Sequence, residues 1–181
     1  MRKLFVSEFI TADGVIEAPH EWHGDYFNEE MGEAVGGQWA NADAILLGRT
    51  TYDGFAAAWP SMRDQPGGDF MNGTAKYVVS RTLEKAEWEN SAVIDGNGDV
   101  AAAIRELKEG PGRDIIVMGS GVLVDFLIAE GLVDEIRLLV DPVIVGKGQR
   151  LFGAGVPKTP LSLVSAEVFT TGVQHLVYSV G

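Results

Sequence analysis

The sequence predicts a single α/β domain: a mainly parallel central sheet with helices on both faces and an antiparallel hairpin at the C-terminal end. Three observations predict it. Short apolar runs of strand type alternate with segments of helical period over most of the chain, the pattern of strand–helix–strand crossovers. Two of those runs stop at a glycine and pass straight into a helical segment, at Gly48 and at Gly119-Ser120-Gly121. The last two runs, Leu161 to Thr170 and Val173 to Val180, alternate apolar and polar residues around Thr171-Gly172, which reads as a hairpin.

In chain order, Arg2 to Thr11 carries Leu4, Val6, Phe9 and Ile10 and reads as the first strand, followed by the turn Ala12-Asp13-Gly14. Val15 to Asp25 is irregular and rich in rings, with Trp22 and two histidines, His20 and His23, beside Pro19. Tyr26 to about Val35 spaces Phe27, Met31 and Val35 by four and predicts a helix ended by Gly36-Gly37. Ala44 to Leu47 is a short buried strand that turns at Gly48 into a helix, with Thr50 at the expected N-cap. Pro60 to Gly73 reads as a loop around Pro66-Gly67-Gly68. Lys76 to Val79 and Ala92 to Ile94 are strands. Asp99 caps a helix running through Lys108, with Val100, Ile104 and Leu107 on one face. Ile115 to Met118 is the strand before the glycine pair, Val122 to Leu127 opens the helix after it, and Gly131 ends that helix. Glu135 to Val140 is a strand, and Asp141 to Phe152, with Pro142, Gly146 and Gly148, is a shaped loop.

The 181 residues suit one domain with a sizeable core, and 46% hydrophobic with 22% charged residues is ordinary for a globular protein. No apolar run reaches the length of a membrane span, and the N-terminal stretch lacks the apolar core of a signal peptide, so the expected location is cytoplasmic with no membrane partner. The chain has no cysteine, which removes disulfides, thiolate metal sites and cysteine nucleophiles. A net charge of −12 repels phosphate backbones and argues against a nucleic-acid partner. The same field opposes any anionic cofactor, so such a site needs local positive groups.

Those groups are present. Gly48-Arg49-Thr50, Ser80-Arg81-Thr82 and Gly119-Ser120-Gly121 each follow a predicted strand. Ligands of open parallel sheets bind beyond the carboxyl ends of strands, and three such ends side by side would line one cleft. Helix N-termini favour anions, glycine lets an anion approach the backbone, and Arg49 and Arg81 are forked phosphate donors. The standard dinucleotide fingerprint is absent, because Val124 stands where its third glycine is required. No phosphate-loop or G-x-S-x-G motif occurs.

The runs Leu46-Leu47-Gly48-Arg49-Thr50-Thr51-Tyr52, Val78-Val79-Ser80-Arg81 and Val117-Met118-Gly119-Ser120-Gly121-Val122-Leu123 resemble the dihydrofolate reductase superfamily. Leu132 to Ile136, Pro142, Gly146, Gly148 and Leu151-Phe152 are similar to its riboflavin branch, the reductase-like C-terminal domain of the bifunctional riboflavin-biosynthesis proteins. The early Thr11-Ala12-Asp13-Gly14-Val15-Ile16 fits both, and the resemblance covers nearly the whole chain. It implies an NADPH-dependent reductase, like the 5-amino-6-(5-phosphoribosylamino)uracil reductase or dihydrofolate reductase. The substrate would be a small pterin- or pyrimidine-like molecule with a C=N or C=O group.

The resemblance also implies roles for individual residues. Gly48, Arg49, Thr50 and Thr51 would hold cofactor phosphate, and Ser80 and Arg81 the 2′-phosphate end. Gly119, Ser120, Gly121, Val122 and Leu123 would hold the pyrophosphate, and Ile16 would lie against the nicotinamide. A homodimer is implied by analogy with the riboflavin branch. A non-catalytic nucleotide-binding module and a flavin-binding protein of the same fold are the alternatives.

The chain departs from both branches in its acids. Dihydrofolate reductases place a carboxylate on the first helix, where this chain offers Asp25, Glu29, Glu30 and Glu33. Riboflavin reductases carry an acid just before the glycine turn, where Met118 stands. Asp13, Asp25 and Glu29 are therefore the catalytic candidates, and Trp22 and Tyr26 the candidates for stacking on a planar substrate. No metal site is expected, because Pro19 and Gly24 keep His20 and His23 in a loop with no third ligand.

Overall fold

A computed structural model describes residues 1–181. Eight strands form one sheet: β1 (Leu4–Thr11), β2 (Ala42–Gly48), β3 (Ala75–Ser80), β4 (Ser91–Asp95), β5 (Asp114–Val117), β6 (Glu135–Asp141), β7 (Leu161–Val168) and β8 (Gln174–Val180). Their spatial order is β4-β3-β2-β5-β1-β6-β8-β7. The first six are mutually parallel, with Val6 beside Val117 and Leu47 beside Val78, and β8 joins β6 antiparallel with β7 as the free edge. Five helices connect or flank them: α1 (Glu29–Asn41), α2 (Arg49–Ala58), α3 (Gly68–Gly73), α4 (Val100–Glu109) and α5 (Gly121–Ala129).

Alternation along the strands divides the core. Leu4, Val6, Leu46, Ile115, Val117, Ile136 and Leu138 face α4 and α5, where Ile104, Val124 and Leu127 are fully buried. Phe5, Ile45, Leu47, Val78 and Ile116 face the other way, onto Tyr52 of α2, Met71 of α3 and Trp88. Met31 of α1 packs on Leu139, Phe169 and Val173 toward the hairpin. The two-faced burial explains why the central strands read as unbroken apolar runs.

Three sequence expectations need correction. The first helix starts at Glu29, capped by Asn28 Oδ1 accepting from Met31 N at 3.0 Å, and runs through Gly36-Gly37 to Asn41. Each glycine costs about 1 kcal/mol in a helix. Packing offsets this, because Gln38 is buried against Ser7 at 2.5 Å and Trp39 stacks on Phe70 at 4.9 Å. The second helix is not capped by Thr50: Gly48 is its N-cap, and no side chain occupies that role. The expected loop from Pro60 to Gly73 contains a 3₁₀ turn (Trp59–Ser61) and α3. Asn72 holds them together by donating to Trp59 O at 3.0 Å and Gly68 O at 2.9 Å.

The C-terminal hairpin forms as expected, and so do the Asp99 cap, with Oδ1 accepting from Ala102 N at 2.9 Å, and the stop at Gly131, with φ +64°. No helix is long and apolar enough to cross a membrane.

Candidate cofactor cleft and the acid beside it

The strand order puts β3, β2 and β5 side by side, so the turns at their carboxyl ends meet. They line one cleft of ≈ 870 Å³. Gly48, Arg49 and Thr50 come from the β2–α2 turn, Ser80, Arg81 and Thr82 from the end of β3, and Ser120, Val122 and Leu123 from the start of α5. Val100 and Phe126 supply apolar wall from α4 and α5.

The turns are in close contact. Gly48 N donates to Gly119 O at 3.4 Å, and a Cβ at Gly48 would lie 2.5 Å from Ser120 Oγ. Gly96 lies so close to Arg81 that a Cβ would be 2.9 Å from its Cγ. Neither α2 nor α5 has a side-chain cap, so the N–H groups of both first turns are left for a ligand.

Charge in the cleft is mixed. Arg49 bonds Asp53 through Nε at 2.9 Å and Thr82 Oγ1 through an Nη at 3.3 Å, which holds its guanidinium over the junction of the first two turns. Arg81 lies exposed at the rim. Asp99 and Glu130 also line the cleft, but Asp99 is spent on its helix cap and Glu130 is paired with Arg105 at 3.3 Å. Two arginines and two uncapped helix starts therefore face the opening, and these features fit a dinucleotide phosphate.

Other expected residues lie around the cleft rather than in its wall. Thr51 packs under the glycine turn: a Cβ at Gly119 would meet its Oγ1 at 2.6 Å. Gly121 seats the start of α5 against Arg150 O, 2.8 Å from where a Cβ would be. Ile16 is half-buried against the main core, with its N–H bonded to Gln149 O at 2.9 Å.

Asp13 ties the early turn to the 142–150 loop, accepting from Thr11 Oγ1 at 2.6 Å and from Gly146 N at 2.8 Å. The Thr11 hydroxyl, and then these amides, hold its carboxyl below the usual range. Asp25 and Glu29 are exposed. Trp22 is buried and donates its indole N–H to Glu17 O at 2.9 Å, while Tyr26 is half-buried near Met31.

Glu8 was not singled out by the sequence reading. It sits in β1 on the face that carries Leu4, Val6 and Ile10, past the point where β5 ends at Val117. Its Oε1 accepts from Gly119 N at 2.5 Å. Burial pushes its carboxyl up to about 8, and the Gly119 N–H pulls the other way without cancelling that. Position 118 is Met, yet the glycine turn has a carboxyl against it, delivered from the neighbouring strand. The available signal was an acid on a strand face that otherwise carries Leu4, Val6 and Ile10, which is unusual enough to mark a site.

A parallel sheet with this order, turns carrying glycine or arginine at three adjacent strand ends and a closing antiparallel hairpin defines the dihydrofolate-reductase-like class of α/β domains. The family model of the RibD C-terminal domain matches residues 2–175, and the chain belongs to that family. Its relatives include two uncharacterized proteins of Bacillus subtilis (strain 168). YyaP is 31% identical, with 98% of this chain and 94% of YyaP covered, and YwjB is 27% identical over 96% and 95%.

Among solved structures, a Shewanella sp. PV-4 protein described as a riboflavin biosynthesis protein superposes with a TM-score of 0.80 at 19% identity, covering 99% of each chain. A pyrimidine reductase-like protein from Corynebacterium diphtheriae gives 0.71 at 13% identity, over 99% of this chain and 92% of that one. The deaminase/5-amino-6-(5-phosphoribosylamino)uracil reductase of Thermotoga maritima gives 0.69 at 15% identity, and this chain spans 57% of it. The family supports a reductase role.

Proposed function

We propose that the protein is an NADPH-dependent reductase that delivers hydride to a C=N or C=O group of a small heterocyclic substrate, pterin- or pyrimidine-like. The observation that carries this reading is the meeting of three chain reversals in one cleft, with two arginines and two uncapped helix starts facing it. Gly48 to Thr50 and Ser120 would hold the pyrophosphate through backbone N–H groups and hydroxyls. Arg81 and Ser80 would take the 2′-phosphate, the feature that separates NADPH from NADH. Val122, Leu123 and Phe126 would keep water from the apolar parts of the cofactor. When bound, NADPH supplies the hydride.

The rate gain would come mainly from holding donor and acceptor carbons in contact. Glu8, neutral up to about pH 8 and set against the glycine turn, is assigned the accompanying proton. A homodimer is part of the proposal. β7 is a sheet edge exposed along its whole length, and Leu163 (59%), Val164 (62%) and Val168 (70%) stand open to solvent. Such an edge is normally covered or charged, and a second copy would cover it.

The test is calorimetric titration of NADPH and NADH into the wild type and Arg81→Ala at low salt. The loss of one charge-assisted phosphate contact, about 1.5–3 kcal/mol, predicts a roughly ten- to hundredfold weaker NADPH and a nearly unchanged NADH. Equal losses would overturn the 2′-phosphate assignment, and no heat with either nucleotide would overturn the cleft itself. Binding without NADPH oxidation across a panel of imines and carbonyls would point to the non-catalytic module instead.

A further inference from the structure

A second polar cluster lies on the other face of the sheet. Asp141 ends β6 opposite Thr11 of β1, on the side that carries Phe9 and Leu139. Its carboxylate is fully buried, and Oδ2 lies 2.8 Å from His23 Nδ1. The imidazole stacks on Phe9 with 3.9 Å between ring centroids, and Trp22 and Phe27 meet it edge-on at 6.2 and 5.8 Å.

Three buried side-chain polar atoms in the protein have no partner: His23 Nε2, Asp141 Oδ1 and Thr171 Oγ1. The first two belong to this pair. Thr171 is next to Gly172, whose α carbon faces Pro142, the residue after Asp141; a Cβ there would lie 3.5 Å from Pro142 Cγ. The hairpin tip that carries Thr171 therefore lies beside the carboxyl end of β6, where the pair sits.

Buried polar groups in folded proteins almost always find partners, and an unpaired buried carboxylate oxygen is among the costlier exceptions. A latch fastening the 12–28 segment to the sheet would account for Nδ1 and Oδ2 alone. Asp141 Oδ1 is a free carboxylate acceptor, His23 Nε2 is an unpaired ring nitrogen beside it, and the Thr171 hydroxyl can turn either way. Acceptors inside a wall of aromatic rings suit a flat molecule whose edge carries N–H donors.

We propose that this enclosure is a binding site for the N–H-bearing edge of a small planar molecule, seated against Phe9, Trp22 and Phe27 and held by His23, Asp141 and Thr171. Phe27, 54% exposed, is the side chain displaced on entry. Only β1 separates β6 from β5, so the site lies roughly 10 Å from the strand that carries the glycine turn, at about 4.8 Å between strands. Binding there does not rest on the reductase reading, because the cluster lies on the face of the sheet away from Glu8.

The experiment compares benzamide with methyl benzoate, flat probes of similar shape with and without an N–H edge. Binding is followed by long-range ¹H–¹⁵N spectra of the three histidine rings. Wild type should bind benzamide with shifts at the His23 ring nitrogens and methyl benzoate at least tenfold more weakly. Thr171→Val, which leaves the His23–Asp141 pair intact, should lower the preference threefold or more. His23→Phe, which keeps a ring on Phe9, should abolish the preference, with folding checked by circular dichroism. Equal binding of the two probes, benzamide shifts confined to His20 or His175, or no binding of either up to the solubility limit would overturn the proposal. NADPH is titrated into the same samples: if it fails to bind while benzamide binds, the cofactor reading falls and this site stands, and the converse result removes this site alone.

Discussion

Replacing Glu8 by Gln tests whether the acid beside the glycine turn is held neutral by its surroundings. The amide oxygen can still accept from Gly119 N, so the variant removes the titration and keeps the contact. The folded carboxyl titrates at about 8 against an ordinary value of 4.5. The folded state therefore binds this proton more tightly than the unfolded chain. The resulting stability is complete below about 4.5, declines as pH rises and is gone above about 8.

At about 1.4 kcal/mol per tenfold change in proton affinity, the full difference is about 5 kcal/mol. The assay is urea denaturation of wild type and Glu8→Gln from pH 4 to 9, read as the difference in unfolding free energy, so that the other titrating groups cancel. The two proteins should match near pH 4, and the variant should gain about 4–5 kcal/mol relative to wild type by pH 8.5. A difference that stays flat with pH would refute the raised affinity and remove Glu8 as the proton source.

Two further outcomes follow from the geometry. Gly48→Ala places a methyl group 2.5 Å from Ser120 Oγ at a φ that alanine tolerates, so the cost is crowding between two turns. It should lower stability by about 1–3 kcal/mol, a fall of several degrees in melting temperature, and weaken NADPH in parallel; an unchanged melt would mean that the turns are not in contact. Leu163→Lys with Val168→Lys on β7 should turn a dimer into a monomer by analytical ultracentrifugation without lowering the melting temperature of the monomer, and a wild type that sediments as a monomer at tens of micromolar would remove the dimer.

Local chemistry made most elements legible. Asp99 three residues ahead of Ala102 marks a cap, Thr171-Gly172 between alternating runs marks a hairpin, and glycine after an apolar run marks a strand-to-helix turn. The misread boundaries are those where distant packing outweighs local preference. Gly36-Gly37 would end an isolated helix, but Gln38 and Trp39 find partners in β1 and α3 that a local window does not contain. The short α3 inside 60–73 likewise depends on Asn72, whose partners are Trp59, just ahead of that segment, and Gly68, at the start of α3.

Sequence alone determined that this is a parallel α/β domain of the reductase-like family, with glycine or arginine at each of three strand ends, because those features are written in residue type and spacing along the chain. Tertiary structure alone decided that β3, β2 and β5 are neighbours, so that the three turns share one cleft. It also brought Glu8 to Gly119 across 111 positions and His23 to Asp141 across 118. Strand order and strand-end alignment arise from how crossovers pack on both faces of a sheet. A carboxyl's proton affinity depends on what surrounds it there, which residue spacing does not encode.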